Sequence, residues 1–274
     1  MQQKVYVVFG IALIVVVSAG CLLCACRGSG HAGRSIMLLR QLDLPADCCY
    51  VITLDTAEGR ARMAQLRNTM FGPYLQVVPG VFGKALDVEH LEQAGTIQRS
   101  YRNHDGTVQT MSSSEMGCLL SHVKVWQTLV DSEHETALVL EDDAFHFDPQ
   151  FGDKVSEALR HTPSDWGIFL CGFWIKHDHA PGTAVNAHVV RVQDFVLAHC
   201  YMIRKWAARA LIGTRPYNMP SDSLMAHHSA SVPIYRHRHT SRAMWDKDPQ
   251  RERYGIVSNL STQQFDKSHI EHAF

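Results

Sequence analysis

The feature that most constrains the fold is an amphipathic helix pattern that runs directly into a short apolar strand and three acidic residues. Apolar residues recur at three- and four-residue steps over 116–130, behind the possible N-cap serines 112–114. Residues 136–140 (TALVL) then form a continuous apolar run, which is typical of a fully buried strand. The run ends in an acidic loop at 141–143 (EDD). This order predicts a ligand site at the acidic loop, because α/β sheets bind ligands beyond the carboxyl ends of their strands.

Strand-like and helix-like segments alternate along the rest of the chain. Further strands are predicted at 49–54, 75–78, 166–170, 200–203 and 232–235. Helices are predicted at 60–70, at 205–214 and after Asp148-Pro149, where the aspartate provides a cap and the proline a first-turn residue. The alternation favours an α/β fold with a mostly parallel central sheet and crossover connections.

Composition and charge restrict the class of protein. Hydrophobic residues make up 46% of the 274 residues and charged residues 19%, which are ordinary values for a globular chain. The formal net charge of -1 provides no excess of positive charge for holding a polyanion, so nucleic acid is not an expected partner. We expect one large domain over residues 48–274.

The N-terminal segment is predicted to anchor the chain in a membrane. Residues 5–26 are apolar and uncharged, and a helix of that length crosses a hydrocarbon core of about 30 Å. We expect a signal anchor with a transmembrane helix at 1–26 and a stem at 27–47, as in a single-pass type II membrane protein of the Golgi or endoplasmic reticulum. The alternative is a cleaved signal peptide with its apolar core at 5–17 and a small-residue cleavage site at 17–19.

Two weaker signals concern the compartment. Asn259-Leu260-Ser261 is a glycosylation sequon, which fits a lumenal domain. The cysteines after residue 26 are irregularly spaced and include no Cys-x-x-Cys zinc pattern. A disulfide scaffold is therefore not indicated, although a single bridge stays open.

The acidic loop has the residue types of a metal site. Glu141 and Asp143 lie two residues apart, and the repulsion among three adjacent carboxylates is relieved when Mn²⁺ or Mg²⁺ shares their oxygens. A cation held in this way can bind a substrate diphosphate. The alternative is a solvated acidic turn that caps the following helix.

Several motifs together resemble glycosyltransferase family 25, which contains lipopolysaccharide-type and procollagen galactosyltransferases. The segment 50–66 (YVITLDTAEGRARMAQL) resembles the opening motif of the family. GCLLSH at 117–122, then Trp126, then LVLEDDA at 138–144 are similar to its Gly-x-x-x-Ser-His, Trp and Leu-Glu-Asp-Asp pattern. Later landmarks of the family match in the same order at 165–170, 199–203 and 220–222.

The resemblance implies a GT-A fold and a metal-dependent transferase. Such an enzyme moves a sugar, most often galactose from UDP-galactose, to a hydroxyl of a glycan, a glycolipid or a hydroxylysine-type protein acceptor, with inversion. Mn²⁺ or Mg²⁺ is the implied cofactor, with Glu141 and Asp143 as metal ligands and Asp142 beside the donor. The alternative is a family-like binding module, lumenal or at the cell surface, that has lost catalysis.

The remaining candidate site residues follow from the same motifs. Asp222 is the candidate base that takes the acceptor proton, although it is also an ordinary helix-capping residue. Arg60 and Arg62 follow the first strand, where a guanidinium can bind the phosphates of the nucleotide, and of the two Arg60 is favoured. The alternative for each arginine is a solvated charge in the first turn of the helix.

Four serine and histidine positions complete the set. Ser121 and His122 belong to the GCLLSH motif and are candidate residues for binding the sugar donor. The alternative for His122 is a purely structural role. In GT-A enzymes generally a late histidine completes the metal shell, which makes His237 or His239 a candidate ligand. The alternative for these two is a histidine-rich surface after the strand at 232–235.

Overall fold

The computed structural model describes residues 42–102, 106–145, 147–175, 182–238, 256–257 and 262–263. The predicted signal anchor, most of the stem, the sequon and His239 lie outside these residues. Within the described ranges no helix is both long enough and apolar enough to cross a membrane.

Helices and strands alternate as the sequence predicts. The described helices are α1 (Ala57–Leu66), α2 (Val88–Gln93), α3 (Ser113–Asp131), α4 (Phe151–Arg160), α5 (Lys205–Ile212) and α6 (Ser221–His227). The described strands are β1 (Cys48–Thr53), β2 (Leu75–Pro79), β3 (Ser100–Arg102), β4 (Val108–Thr110), β5 (Thr136–Glu141), β6 (Ala144–Phe145), β7 (Ile168–Ile175), β8 (Thr183–Ala184), β9 (Val189–Val192), β10 (Val196–Arg204), β11 (Ile234–His237), β12 (Ile256–Val257) and β13 (Thr262–Gln263).

A large mixed sheet forms the centre of the described part of the chain. Its strand order is β2-β1-β5-β10-β7-β11-β9-β8, and β12 adds to β7. Among these nine described strands, six share one direction, while β9, β10 and β12 run against them. The α/β class with a mostly parallel sheet is thereby confirmed, with β10 inserted antiparallel between β5 and β7.

Alternation along the strands divides the core into two layers. In β1, Cys48 and Tyr50 pack into one cluster and Cys49 and Val51 into the other, as the two-residue period of a strand requires. Helices α3, α5 and α6 cover the first face, and α1 and α4 cover the second. The sheet is therefore enclosed between two helical layers, which explains why its central strands are apolar on both faces.

Local capping sets where the helices begin. Helix α1 starts at Ala57, three residues before the predicted start, because the Thr56 side chain accepts the Gly59 N–H at 3.0 Å. Ser112 caps α3 in a reciprocal capping box with Glu115, as the serine run predicted. Helix α4 begins only at Phe151, because Asp148 accepts the Gln150 N–H at 2.8 Å and closes a turn ahead of it.

The chain reverses its direction of winding across the sheet at β1. The connection from β1 through α1 leads to β2 on one side, and the chain then returns through α3 to β5 on the other side. Both neighbours run parallel to β1, with Ile52 beside Glu141 in the register. The carboxyl ends of β1 and β5 consequently border the crevice where open α/β sheets bind their ligands.

Candidate functional site

The acidic loop lies at this crevice. Glu141 is the last residue of β5, and Asp142 and Asp143 follow directly. Asp143 is 3% exposed, whereas Glu141 and Asp142 are half-buried. Three carboxylates, one of them deeply buried, thus stand at the end of a central strand, as the sequence predicts for the acidic loop.

Asp142 joins the acidic loop to β1 and α1. The Thr53 hydroxyl, at the end of β1, donates to Asp142 Oδ2 at 2.6 Å. Arg62 Nη1 of α1 lies 3.5 Å from Asp142 Oδ1, and Arg62 Nη2 donates to Glu58 at 2.6 Å. Burial nevertheless raises the pKa of Asp142, and the neighbouring Glu141 charge acts in the same direction. The crevice therefore concentrates negative charge that the protein compensates only in part.

Glu141 is oriented by a chain of buried polar groups. Its Oε1 lies 3.1 Å from His122 Nε2, and His122 Nδ1 lies 2.9 Å from the Tyr201 hydroxyl. Trp126 Nε1 also donates to that hydroxyl at 2.9 Å. Burial raises the pKa of Tyr201, so the phenol keeps its proton. The His122 ring thus lies between the Tyr201 hydroxyl and Glu141, with one ring nitrogen in contact with each.

Cys118 adds a thiol to the same group. It is exposed and lies one helical turn before His122, with its sulfur 3.7 Å from the Ser221 hydroxyl. The ligand atoms of Cys118, His122 and Glu141 all lie within 4.8 Å of one another. The pKa of the thiol is raised, first by desolvation from the surrounding protein and then by the Glu141 charge. Cys118 is therefore a neutral thiol beside the acidic loop.

Asp222 is held by two backbone N–H groups at the start of α6. Leu197 N–H donates to its Oδ2 at 2.8 Å and Ser223 N–H to its Oδ1 at 2.7 Å. Burial raises the pKa of Asp222; the Glu141 charge raises it further, while His122 acts against the shift. The N-cap of α6 is Pro220, so Asp222 is not the capping residue. Cys118, which groups with His122 and Glu141, also contacts Ser221 beside Asp222, so the start of α6 borders the acidic loop.

Ser121 connects α3 to the loop after β2. Its hydroxyl donates to the Gly117 carbonyl at 2.7 Å and accepts the Val81 N–H at 2.8 Å. A Cβ at Gly117 would lie 2.7 Å from the backbone nitrogen of Gly83, so the helix and this loop touch backbone to backbone. Ser121 has a positioning role in the structure, and its predicted contact with a donor stays a prediction.

The two candidate arginines have different surroundings. Arg60 is 65% exposed and pairs with the exposed Asp55 at 2.6 Å. The side chain of Arg62 is only 17% exposed and reaches the acidic loop through Asp142. Although the sequence favoured Arg60, it is Arg62 that the structure brings to the site.

His237 is not brought together with the acidic loop. It ends β11, which is separated from β5 by β10 and β7. Two residues earlier, Tyr235 packs in the cluster under α4, so His237 faces that side, whereas Glu141 points to His122 on the α3 side. His237 lines a cavity of about 370 Å³ with Asp153 and Glu157 of α4. Its assignment as a metal ligand stays a prediction.

Sequence reasoning missed two residues that hold the site together. Thr53 could have been found, because it stands at the carboxyl end of β1, where a polar side chain faces the crevice. Tyr201 was not recognisable, because its partners His122 and Trp126 come from α3 and meet it only through the pairing of β10 with β5.

These observations define an α/β protein with an acidic loop at the switch point of its sheet. The sequence profile of glycosyltransferase family 25 (LPS biosynthesis protein) matches residues 47–193. Because the match covers more than half of the chain, the chain belongs to glycosyltransferase family 25. The matched range contains β1, α3 and the acidic loop, whereas Asp222 and His237 lie beyond it.

Individual proteins of this family align with part of the chain. Procollagen galactosyltransferase 2 of Homo sapiens is 27% identical over 184 residues, covering 64% of this chain and 29% of that protein. A glycosyltransferase 25 family member of Drosophila pseudoobscura pseudoobscura is 29% identical over 176 residues, covering 63% and 28%. One of Drosophila melanogaster is 24% identical over 214 residues, covering 76% and 34%. The chain therefore spans about a third or less of the length of these relatives.

Proposed function

We propose that the protein is a metal-dependent galactosyltransferase that uses UDP-galactose. The acceptor is a hydroxyl of a glycan, a glycolipid or a hydroxylysine-type side chain, and the transfer inverts the anomeric centre. The observation that carries this proposal is the acidic loop at the crevice between β1 and β5, with Asp222 at the bordering start of α6. Family membership and the galactosyltransferase relatives support the reaction class.

The residues of the loop fit a hard divalent ion. Mn²⁺ and Mg²⁺ prefer oxygen ligands, and the carboxylates of Glu141 and Asp143 would hold such an ion. Burial, and to a lesser extent the Glu141 charge, raises the pKa of Asp142, and a cation at the loop would favour its carboxylate form. His122 contacts the Glu141 carboxylate and orients it. Residues hydrogen-bonded to a ligating carboxylate have this role in metal sites. When bound, the ion supplies charge neutralisation of the diphosphate and Lewis acidity for the departing UDP.

Asp222 takes the proton of the acceptor hydroxyl in a single displacement. The acceptor oxygen forms a bond to the anomeric carbon, the bond from that carbon to the UDP oxygen breaks, and UDP leaves with the electron pair. The proton passes to the Asp222 carboxylate, whose orientation is fixed by the N–H groups of Leu197 and Ser223. A carboxylate with a raised pKa is the stronger base, so burial favours this role.

Arg62 and Thr53 keep the acidic loop in place during the reaction. Both contact Asp142, from α1 and from the end of β1 respectively. Arg62 is shared between Glu58 and Asp142, and a guanidinium at this edge of the crevice is a group that binds phosphate oxygens. The same proposal places the chain in the Golgi or endoplasmic reticulum lumen, held to the membrane by residues 1–26.

A panel of nucleotide sugars tests the donor assignment. We would measure UDP release by the full chain from UDP-galactose, UDP-glucose and UDP-N-acetylglucosamine, with Mn²⁺ or with EDTA, and with hydroxylysine peptides and simple glycosides as acceptors. Manganese-dependent release from UDP-galactose is expected. Release from another donor alone would contradict the galactose assignment. The absence of turnover with all donors, in a cooperatively folded protein, would favour the non-catalytic binding module.

A further inference from the structure

A second group of metal-ligating side chains lies at the carboxyl-terminal end of α4. Glu157 and His161 stand four residues apart on the helix, and His188 comes from the turn between β8 and β9. His161 Nε2 lies 3.1 Å from Glu157 Oε1, and His188 Nδ1 lies 3.9 Å from the same oxygen. One ligand atom from each residue falls within 4.8 Å of the other two. We refer to these three residues as the α4 triad.

The triad is held by the backbone around it. The Asn186 side chain donates to the His161 carbonyl at 2.7 Å and accepts the His188 N–H at 2.8 Å. Arg238 N–H donates to the His188 carbonyl at 2.8 Å. The Asn186 side chain therefore links the backbone of both histidine-bearing segments. The two imidazole rings are stacked, with centroids 4.0 Å apart and 9° between their planes, so one side chain must rotate before both rings direct a nitrogen at one ion.

Glu157 has a defined orientation within the triad. Its Oε2 accepts from Arg160, which leaves Oε1 directed at the two histidines. The side chains of Glu157, His161 and His188 are 40%, 43% and 38% exposed. An ion can therefore enter from solvent and complete its coordination with water.

The triad is separate from the acidic loop. His188 directly precedes β9, which lies four strands from β5 in the sheet, or about 19 Å at the usual strand spacing. Helix α4 covers one face of the sheet and α3 covers the other. The contact between His122 and Glu141 lies on the α3 side. An ion at the triad would have no direct contact with the residues proposed for sugar transfer.

The ligand types select the class of ion. Two imidazole nitrogens and one carboxylate oxygen suit Zn²⁺ and similar transition metals, whereas Mg²⁺ and Ca²⁺ take mainly oxygen ligands. From these ligand types and their proximity, we propose that Glu157, His161 and His188 form a binding site for a zinc-type divalent ion. The ion joins the end of α4 to the β8–β9 turn and stabilises the folded state by mass action.

The test is a zinc titration of the full chain, purified without a histidine tag and freed of metal. Isothermal titration gives the number of Zn²⁺ sites, and thermal unfolding gives the shift in Tm. For the unmodified protein we expect Zn²⁺ at 100 times its Kd to raise Tm by about 5 °C or more. Any Tm shift caused by Mg²⁺ at the acidic loop should be equal in the unmodified protein and in the variant that lacks both triad histidines. The variant His161→Gln/His188→Gln is expected to lose one Zn²⁺ site and the Tm shift that belongs to it.

A matched control removes the same number of imidazoles elsewhere. His227 and His228 at the end of α6 are adjacent histidines with ring centroids 5.1 Å apart, and His227→Gln/His228→Gln should retain every Zn²⁺ site lost by the triad variant. Glu157→Gln, which leaves both histidines in place, should weaken the same site. Equal zinc binding by the triad variants and the unmodified protein would overturn the proposal. An equal loss in the control variant would do so as well.

Discussion

Asp222 owes its proposed reactivity to two opposing features of its surroundings. Burial and the Glu141 charge favour its protonated form, while two backbone N–H groups stabilise its carboxylate. The charged or titratable groups that interact with it electrostatically lie on other elements: His122 and Cys118 of α3, Glu141 of β5 and Tyr101 of β3. The balance leaves the pKa above that of an ordinary aspartate.

Substitution Asp222→Asn should lower kcat by about 10²–10⁴-fold, because the base that takes the acceptor proton is removed. The amide offers only one oxygen to two backbone N–H groups, so a small fall in Tm is also expected. In the unmodified protein kcat/KM should fall as the pH drops through the raised pKa, since only the carboxylate form accepts a proton. A variant that keeps activity within twofold and the same acidic limb would contradict the role of Asp222.

Arg62 and Arg60 provide a matched pair at the residue scale. Arg62→Gln removes the guanidinium beside the half-buried Asp142, and we expect donor binding to weaken about fivefold, equivalent to about 1 kcal/mol. Arg60→Gln breaks only an exposed pair and should leave KM for the UDP-sugar unchanged. Steady-state kinetics of both variants decide the point. Equal effects of the two substitutions on KM would show that the contact between Arg62 and Asp142 does not contribute to donor binding.

At the scale of elements, the site depends on how closely α3 approaches the loop after β2. Ser121 bonds to Val81 across this contact, and Gly117 brings the helix against the backbone of Gly83. His122 follows Ser121 on the same helix. The contact between α3 and the loop after β2 therefore sets the distance between the His122 imidazole and Glu141. Gly117 and Ser121 thus position α3 against the loop after β2, and His122 supports the acidic loop.

Gly117→Ala should therefore destabilise the protein by about 1–3 kcal/mol in spite of the better helix propensity of alanine. Its Cβ would lie 2.8 Å or less from backbone atoms of Gly83, which cannot move aside cheaply. Gly213→Ala is the control, because its Cβ would meet its nearest atom at an ordinary 3.4 Å. Urea unfolding of both variants measures the difference. A Gly117→Ala protein as stable as the control would contradict the packing account.

At the scale of the whole molecule, local patterns predicted the elements better than their arrangement. The apolar run at 136–140 and the serine caps before α3 specify β5 and α3 almost to the residue. The antiparallel insertion of β10 has no local signature, because strand direction depends on connections between distant segments. The short strands β3, β4, β8 and β9 are also set by pairing more than by sequence pattern.

The candidate site divides in the same way. The acidic loop was predictable, because carboxylates directly after a buried strand mark the ligand edge of an α/β sheet. The support of Glu141 by His122 and Tyr201 was not, since it joins three elements that meet only in the folded sheet. Likewise, the period of β11 places His237 on the α4 face, which becomes visible only when the packing of both faces is known.

The central claim is that the acidic loop holds the metal that sugar transfer requires, and Asp143→Asn tests it most directly. Asp143 is buried and is replaced by an amide of nearly the same shape, while Asp55→Asn, at an exposed carboxylate paired with Arg60, serves as the control. Manganese-dependent UDP release from UDP-galactose by the full chain should fall by at least about 10²-fold in Asp143→Asn. It should be unchanged in Asp55→Asn. Full manganese-dependent turnover in a folded Asp143→Asn protein would contradict the account.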